Sequence, residues 1–264
     1  MDIYAKYLGG EPKCINATLN GRPFFISKED IGNLNWAMDQ YQFDSMCWEG
    51  NIITQIWENK YGWFDFSKNL VDIGAGCGEY PIFAGFAHSY AFEPNKTKQC
   101  FLYANMLSHD KVYDVDVLPY CIGDVEKVEV FNGWTSDTDT RFGDAGVTVE
   151  YWTLDSFNIE NVGLIKIDIE GFEYYAVKSG LGTIIRNDYP PMLLEIWNDA
   201  DMEGYFGERS SIYMERRKML LDMLYRLGYV MINDPELGDW KTKFFIHMTR
   251  LNGYNPGYRA NRIL

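Results

Sequence analysis

Leu70-Val71-Asp72-Ile73-Gly74-Ala75-Gly76-Cys77-Gly78 is the stretch on which the fold turns. Its first four residues read as a buried strand, and the glycines at 74, 76 and 78 as a tight turn that runs into a helix. Glycine at such a turn admits positive φ and lets a ligand approach the backbone where a Cβ would collide. A turn of this kind serves either a ligand or packing alone, so its surroundings have to decide.

Outward from it, apolar strands at Tyr90 to Phe92, Leu164 to Ile169 and Met192 to Ile196 alternate with helical segments at 95–107 and 172–181. Strands separated by helices imply an α/β fold with a parallel sheet covered on both faces. A later helix carries Met219, Leu220, Met223, Leu224 and Leu227 on one face before Gly228, and Tyr229 to Ile232 and Phe244 to Met248 read as the last two strands. Upstream, Ile52, Ile53, Ile56 and Trp57 recur at helical spacing between Trp48 and Lys60, with Gly62 placed to end that helix. Between Val125 and Phe157 the pattern changes to strict alternation, in Val128-Glu129-Val130 and Val147-Thr148-Val149, around a polar loop from Thr135 to Gly146. That is a β-hairpin inserted in the α/β core, with a loop long enough to be functional. Residues 1–47 read as an N-terminal extension of short strands and turns, 48–250 as the main domain and 251–264 as a tail. The tail, with Arg259 and Arg262, folds over the site, contacts a second subunit or stays disordered.

A chain of 264 residues, 47% hydrophobic and 16% aromatic, can bury one large core. Its net charge of −14 repels a phosphate backbone, and no Lys/Arg-rich stripe offsets it, which argues against a nucleic-acid partner. Cys14, Cys47, Cys77, Cys100 and Cys121 are scattered and odd in number, with no metal-ligand spacing, as expected of reduced thiols in the cytoplasm. No apolar run reaches the length of a membrane span, and the first residues lack the apolar core of a secretory signal, so a soluble, non-exported protein without a membrane partner is expected. The sequons at Asn16 and Asn95 carry no weight without such a signal.

Two acidic residues give the glycine turn a ligand. Asp72 lies inside the strand, where a nicotinamide-binding fold usually has an apolar residue, and its carboxylate suits the methionine ammonium of S-adenosylmethionine. Glu93 ends the next strand about twenty residues on, where a carboxylate accepts protons from both ribose hydroxyls of an adenosine cofactor. The spacing of Gly74, Gly76 and Gly78 departs from the dinucleotide fingerprint, because Glu79 takes its last glycine slot. These residues, with Glu93-Pro94, Leu102 and Asn105, Thr153-Leu154-Asp155, Ile165-Lys166-Ile167-Asp168-Ile169-Glu170-Gly171-Phe172-Glu173 and Leu194-Glu195, resemble the ordered motifs of the FkbM family of methyltransferases over residues 48 to 250. One departure is Gly76, where that family usually has Asn. The resemblance implies a Rossmann-like class I fold, a seven-stranded mostly parallel sheet with helices on both faces, and S-adenosylmethionine as cofactor. It also implies O-methylation of sugar, glycan or natural-product hydroxyls. The cofactor-binding set expected is Asp72, Gly74, Ala75, Gly76, Glu93, Pro94, Ile122 and Asp168.

Methyl transfer to a hydroxyl is an in-line displacement that needs alignment and a group to take the proton. Asp168, at the carboxyl end of the fourth core strand, is the leading catalytic candidate, because ligands of open α/β sheets bind outside those ends. Glu170 and Glu173 follow it, and crowded carboxylates can raise one pKa to suit a base. Both also suit the first turn of the next helix. Glu195 closes the neighbouring strand and is expected beside Asp168, where the two either share a divalent ion or hydrogen-bond the acceptor. His247, at the end of the last strand, is a second candidate base or a structural imidazole. Trp134, Trp197 and Tyr205, in or beside loops, are candidates for an acceptor wall. A protein or RNA methyltransferase, or a silent domain that binds a partner through the same fold, are the competing readings; four acidic residues in place argue against the last.

Overall fold

Leu70, Val71, Asp72 and Ile73 are at most 1% exposed, which is why this run can sit only at the centre of a sheet covered on both faces. The computed structural model describes residues 14–19, 22–27, 50–131, 147–234, 237–238, 241–252 and 254. Strand β3 (Asn69–Ile73) pairs in parallel with β4 (His88–Phe92) on one side and β9 (Val162–Ile167) on the other. Strand β5 (Val115–Leu118) lies beyond β4, and β10 (Met192–Glu195) beyond β9, both parallel. Next to β10 runs β12 (Thr242–His247), antiparallel, with β11 (Tyr229–Met231) at the edge. The seven-stranded order is therefore β5-β4-β3-β9-β10-β12-β11. The chain moves outward from β3 to β5 and returns on the other side of β3, so the order reverses between β3 and β9. In open α/β sheets the crevice at that reversal, outside the carboxyl ends, receives the ligand.

Helices cover both faces. On one, α1 (Gly50–Glu58), α2 (Glu79–Phe83) and α3 (Lys96–Ser108) bury Ile52, Ile53, Ile56, Ile82, Phe101 and Leu102 around Leu70 and Leu164. On the other, α4 (Glu173–Ser179), α5 (Leu181–Arg186) and α7 (Ser210–Arg226) bury Ala176, Val177, Ile184, Leu220 and Leu224 against Val71, Ile73, Ile165 and Ile167. Helix α6 (Asp199–Phe206) precedes α7 and packs on it through Met202, Phe206 and Tyr213. This is the mostly parallel, helix-covered sheet expected.

The inserted hairpin is present as β7 (Lys127–Phe131) and β8 (Val147–Trp152), antiparallel, with β6 (Cys121–Ile122) parallel to β8 in a separate sheet. Trp134 and the loop from Thr135 to Gly146 lie outside the described residues, as do Cys47, Arg259 and Arg262. Near the N-terminus, β1 (Cys14–Leu19) and β2 (Arg22–Ser27) form a hairpin whose second strand lies on α3, with Phe24 buried 5.6 Å from Phe83.

Some boundaries differ from the sequence reading for identifiable reasons. Helix α1 stops at Glu58 because Asn59 turns left-handed at φ 45, ahead of Gly62. The segment 172–181 is two helices meeting at Gly180. The second is capped by Asp155, whose carboxylate accepts from the Gly182 and Thr183 amides at 2.9 and 2.6 Å, so the Thr153-Leu154-Asp155 motif has a structural role. Met219 is exposed; Tyr213, Leu220 and Leu224 form the buried line of α7. No helix among the described residues is long and apolar enough to cross a membrane.

Candidate active site

The three glycines of the turn answer to three different neighbours. A Cβ on Gly74 (φ +85) would stand 2.0 Å from the Asp168 carbonyl oxygen, so this glycine lets β3 and β9 end side by side. A Cβ on Gly78 (φ +98) would meet Leu102 of α3 at 2.3 Å, a packing requirement. Gly76 (φ +55) has nothing within 4 Å, and its bare backbone faces the crevice. Only Gly76 has the surroundings of a ligand cradle. Asn105 ties the turn to α3 by donating to the Cys77 carbonyl at 2.8 Å. Glu93, 4% exposed, closes the other side, accepting from the Gly76 amide at 2.9 Å and the Asn95 amide at 2.8 Å. Each carboxylate oxygen has a second lone pair, so Glu93 can shape the turn and still accept from a ribose hydroxyl. Ala75 is buried within the turn and Pro94 is half-buried at its rim. Ile122, in β6, is buried in the apolar cluster with Phe92 and Leu154.

Asp72 departs from expectation. It is fully buried, no backbone amide reaches either oxygen, and its neighbouring cation is the Lys166 ammonium at 3.4 Å. Parallel pairing sets Lys166 directly opposite Asp72, and the same ammonium donates to the Gly74 carbonyl at 3.0 Å, lies 3.6 Å from Asp168 and sits over the Tyr80 ring. An internal ammonium thus stands beside the carboxylate expected to meet a ligand's ammonium. Burial raises its carboxyl to about 6 despite Lys166.

Asp168 and Glu195 are brought together as expected, at the carboxyl ends of adjacent parallel strands, with Glu170 beside them. One ligand atom from each of Asp168, Glu170 and Glu195 lies within 4.8 Å of the others, a spacing that can hold a divalent cation. Lysines already supply positive charge there: Lys241 forms an ion pair with Glu195, and Lys166 approaches Asp168. The two acids are driven apart. Burial, then the charges of Asp168 and Glu170, push Glu195 well above the usual range. Burial also pushes Asp168 up, but Lys166, Lys241 and a hydrogen bond from Glu195 outweigh it and hold that carboxyl low. Glu195 is thus the acid that holds its proton more tightly of the two. Crowding raises Glu195, not the leading candidate. The Asp168 side chain is 31% exposed, open to an acceptor.

Glu170 adopts φ 56, a strained conformation for a non-glycine residue, followed by Gly171 at φ 91, and together they turn the chain into α4. Glu173 fixes this turn by accepting from the Ile169 and Gly171 amides, each at 3.1 Å, and burial raises its carboxyl to about 7. It is a clamp on the loop.

His247 is not part of this constellation. Because β12 is antiparallel, Thr242 lies opposite Glu195 and His247 is about 16 Å away at the far edge of the sheet, at roughly 3.3 Å per residue. There it stacks on Tyr189 at 4.4 Å and shares a hydrogen bond with Thr249, a structural imidazole. Trp197 and Tyr205 stand together, 4.7 Å between ring centroids, and Trp197 lines a small cleft with Glu195. Lys166 and Lys241 are the residues whose placement the sequence reading missed.

Residues 62–231 match the family model of the methyltransferase FkbM domain. Among solved structures, the chain is similar to methyltransferase FkbM from Methylobacillus flagellatus KT, at 17% identity and a TM-score of 0.47, covering 73% of this chain and 47% of that one. It thus spans about half the length of that relative. It is similar also to a candidate methyltransferase from Streptococcus mutans in complex with SAH, at 8% identity and a TM-score of 0.45, covering 74% and 95%. A candidate rRNA methylase from Clostridium thermocellum stands at 8% and 0.46, covering 74% and 93%. No curated protein matches the chain in sequence.

Proposed function

The chain belongs to the FkbM methyltransferase family, and from that premise we propose that it is an S-adenosylmethionine-dependent O-methyltransferase acting on a hydroxyl of a sugar, glycan or small natural product. The observation that carries this reading is an ionised, partly exposed Asp168 at the sheet reversal, beside a glycine turn whose Gly76 backbone is bare. The cofactor would lie along that turn, with Glu93 toward its ribose, and it supplies an activated methyl group on sulfur. Asp168 would accept the hydrogen bond of the acceptor hydroxyl and take its proton as the oxygen–methyl bond forms and the sulfur–methyl bond breaks, with S-adenosylhomocysteine as the leaving group. Glu195 stands beside Asp168 at the ends of adjacent strands. Lys241 holds Glu195. With this lysine charge in place the reading uses no divalent ion. A net charge of −14 favours a small acceptor over RNA. Free thiols at Cys77, Cys100 and Cys121 support a reducing, cytoplasmic setting.

Calorimetric titration with S-adenosylhomocysteine and, separately, with NADH tests the cofactor, and only the first is expected to bind. With an acceptor from a hydroxylated-sugar screen, Asp168→Asn is expected to bind S-adenosylhomocysteine normally and to lose turnover by roughly 10² to 10⁴-fold, with or without EDTA in the assay. Parent-like turnover in that variant would overturn the assignment of Asp168.

A further inference from the structure

Lys166 stands where the pattern of its strand calls for an apolar side chain. Alternate residues of a strand share a face. Leu164, Lys166 and, one residue beyond β9, Asp168 therefore follow one another on the face that α1, α2 and α3 cover, as Leu70 and Asp72 do on β3. The Asp168 amide continues the pairing by donating to the Ile73 carbonyl at 3.0 Å. Lys166 is 5% exposed, and an ammonium is held at that depth only by partners that offset its lost hydration. Asp72 lies 3.4 Å from it, the Gly74 carbonyl accepts at 3.0 Å, and the Tyr80 ring is 5.2 Å away. Its fourth neighbour is Oδ2 of Asp168, at 3.6 Å.

Stability alone does not account for this arrangement. Two apolar side chains at 72 and 166 would fill the same space without desolvating a charge, and replacing a buried ion pair in that way is often neutral or stabilising. What an apolar pair cannot supply is the contact with Asp168. The other cations that face this carboxylate are Lys241, which is engaged by Glu195, and Lys98 of α3, which acts more weakly. Asp72, Glu170, Glu173 and Glu195 face it with like charge when ionised. Lys166 lowers the basicity of Asp168, so what it adds is place and not proton affinity. Place matters here, because a displacement of about 1 Å between reacting groups can cost on the order of 10²-fold in rate.

We propose that Lys166 is the positioning residue of the site: its ammonium, fixed by Asp72 and the Gly74 carbonyl, anchors the Asp168 carboxylate against the turn along which the cofactor would lie. One buried group thereby sets the distance between methyl donor and base. This rests on the methyltransferase reading and adds to it a residue that acts through Asp168 and not on the acceptor itself. Asp72 stands one step further back, since it orients the lysine.

Sinefungin tests this without a known acceptor. It carries a primary ammonium on carbon where the cofactor carries its methyl on sulfur, and S-adenosylhomocysteine carries nothing there. In calorimetric titrations of the full chain near neutral pH, the parent is expected to prefer sinefungin to S-adenosylhomocysteine by roughly tenfold, the effect of one charge-assisted hydrogen bond to Asp168. Asp168→Asn is expected to remove that preference. Because Lys166→Met alone strands Asp72, the informative variant is Asp72→Asn with Lys166→Met, compared with Asp72→Asn alone. The single variant is expected to keep the ratio of the two affinities, whatever the change in each, and the double variant to lose it. A lysine that merely neutralised Asp168 would give the opposite sign, since its removal leaves the carboxylate more attractive to the amine. A lysine that served packing alone would weaken both ligands alike. A ratio kept or raised in the double variant therefore overturns the proposal. Equal binding of the two ligands by the parent, or a preference that survives Asp168→Asn, removes Asp168 from its assigned place, and a parent that binds neither removes the methyltransferase reading. Failure of that reading and failure of this inference are thus told apart.

Discussion

On the β3 side of the crevice the polar groups are buried and held from within: Lys166 meets Asp72 and the Gly74 carbonyl, and Glu93 takes the Gly76 and Asn95 amides. On the β10 side Lys241 pairs with Glu195, but the Asp168 side chain stays 31% exposed. The first region has its shape before any ligand arrives, so variants there are expected to report on folding. The second leaves the Asp168 carboxylate partly open, so variants there are expected to report on turnover. A domain that receives one invariant cofactor and a particular acceptor needs both kinds of surface.

The sharpest way to break this contrast is Lys166→Met. It strands the fully buried Asp72 without its cation and is expected to cost about 3–5 kcal/mol in chemical denaturation, with Asp72→Asn in the same background recovering part of it. A loss below about 1 kcal/mol would mean that the β3 side is not self-supporting. Next comes pH. Glu173 is raised from 4.5 to about 7 in the folded chain, so the folded state holds its proton where the unfolded state has lost it. The stability this gives is complete below about 4.5 and disappears as pH rises to about 7, a span of roughly 3 kcal/mol. Glu173→Gln is expected to flatten that slope in thermal melts from pH 4.5 to 7.5, and an unchanged slope would show that Glu173 titrates normally. The smallest effect belongs to Gly76→Ala. No neighbour lies within 4 Å, so only its positive φ opposes the change, about 1–2 kcal/mol. Its main expected effect is weaker S-adenosylhomocysteine binding in calorimetry, and parent-like affinity would place the cofactor elsewhere.

How much of this was readable in advance depended on whether the information was local. The strand and turn at residues 70–78, the alternation of the inserted hairpin and the carboxylates at the ends of β9 and β10 are each carried by a short run of sequence, and each stands where it was expected. The partnership of Asp72 with Lys166 is set by the register of β3 on β9, strands far apart in the chain, and no periodicity reveals it. The two readings of His247 were left open for a related reason. A strand's end is visible in sequence but its direction is not, and in antiparallel β12 the carboxyl end is the wrong edge.

The antiparallel course of β12 also separates the acid at the site from its counter-ion in inheritance. Glu195 is anchored in the parallel frame, whereas Lys241 arrives just before the strand that runs against it. A change of one residue just ahead of Thr242 is expected to alter which side chain stands beside Glu195 without touching the pairing of β3, β4, β5, β9 and β10. Descendants of this chain can therefore retune the proton affinity of the site through a connecting segment, where insertions are tolerated, while the cofactor half passes on unchanged.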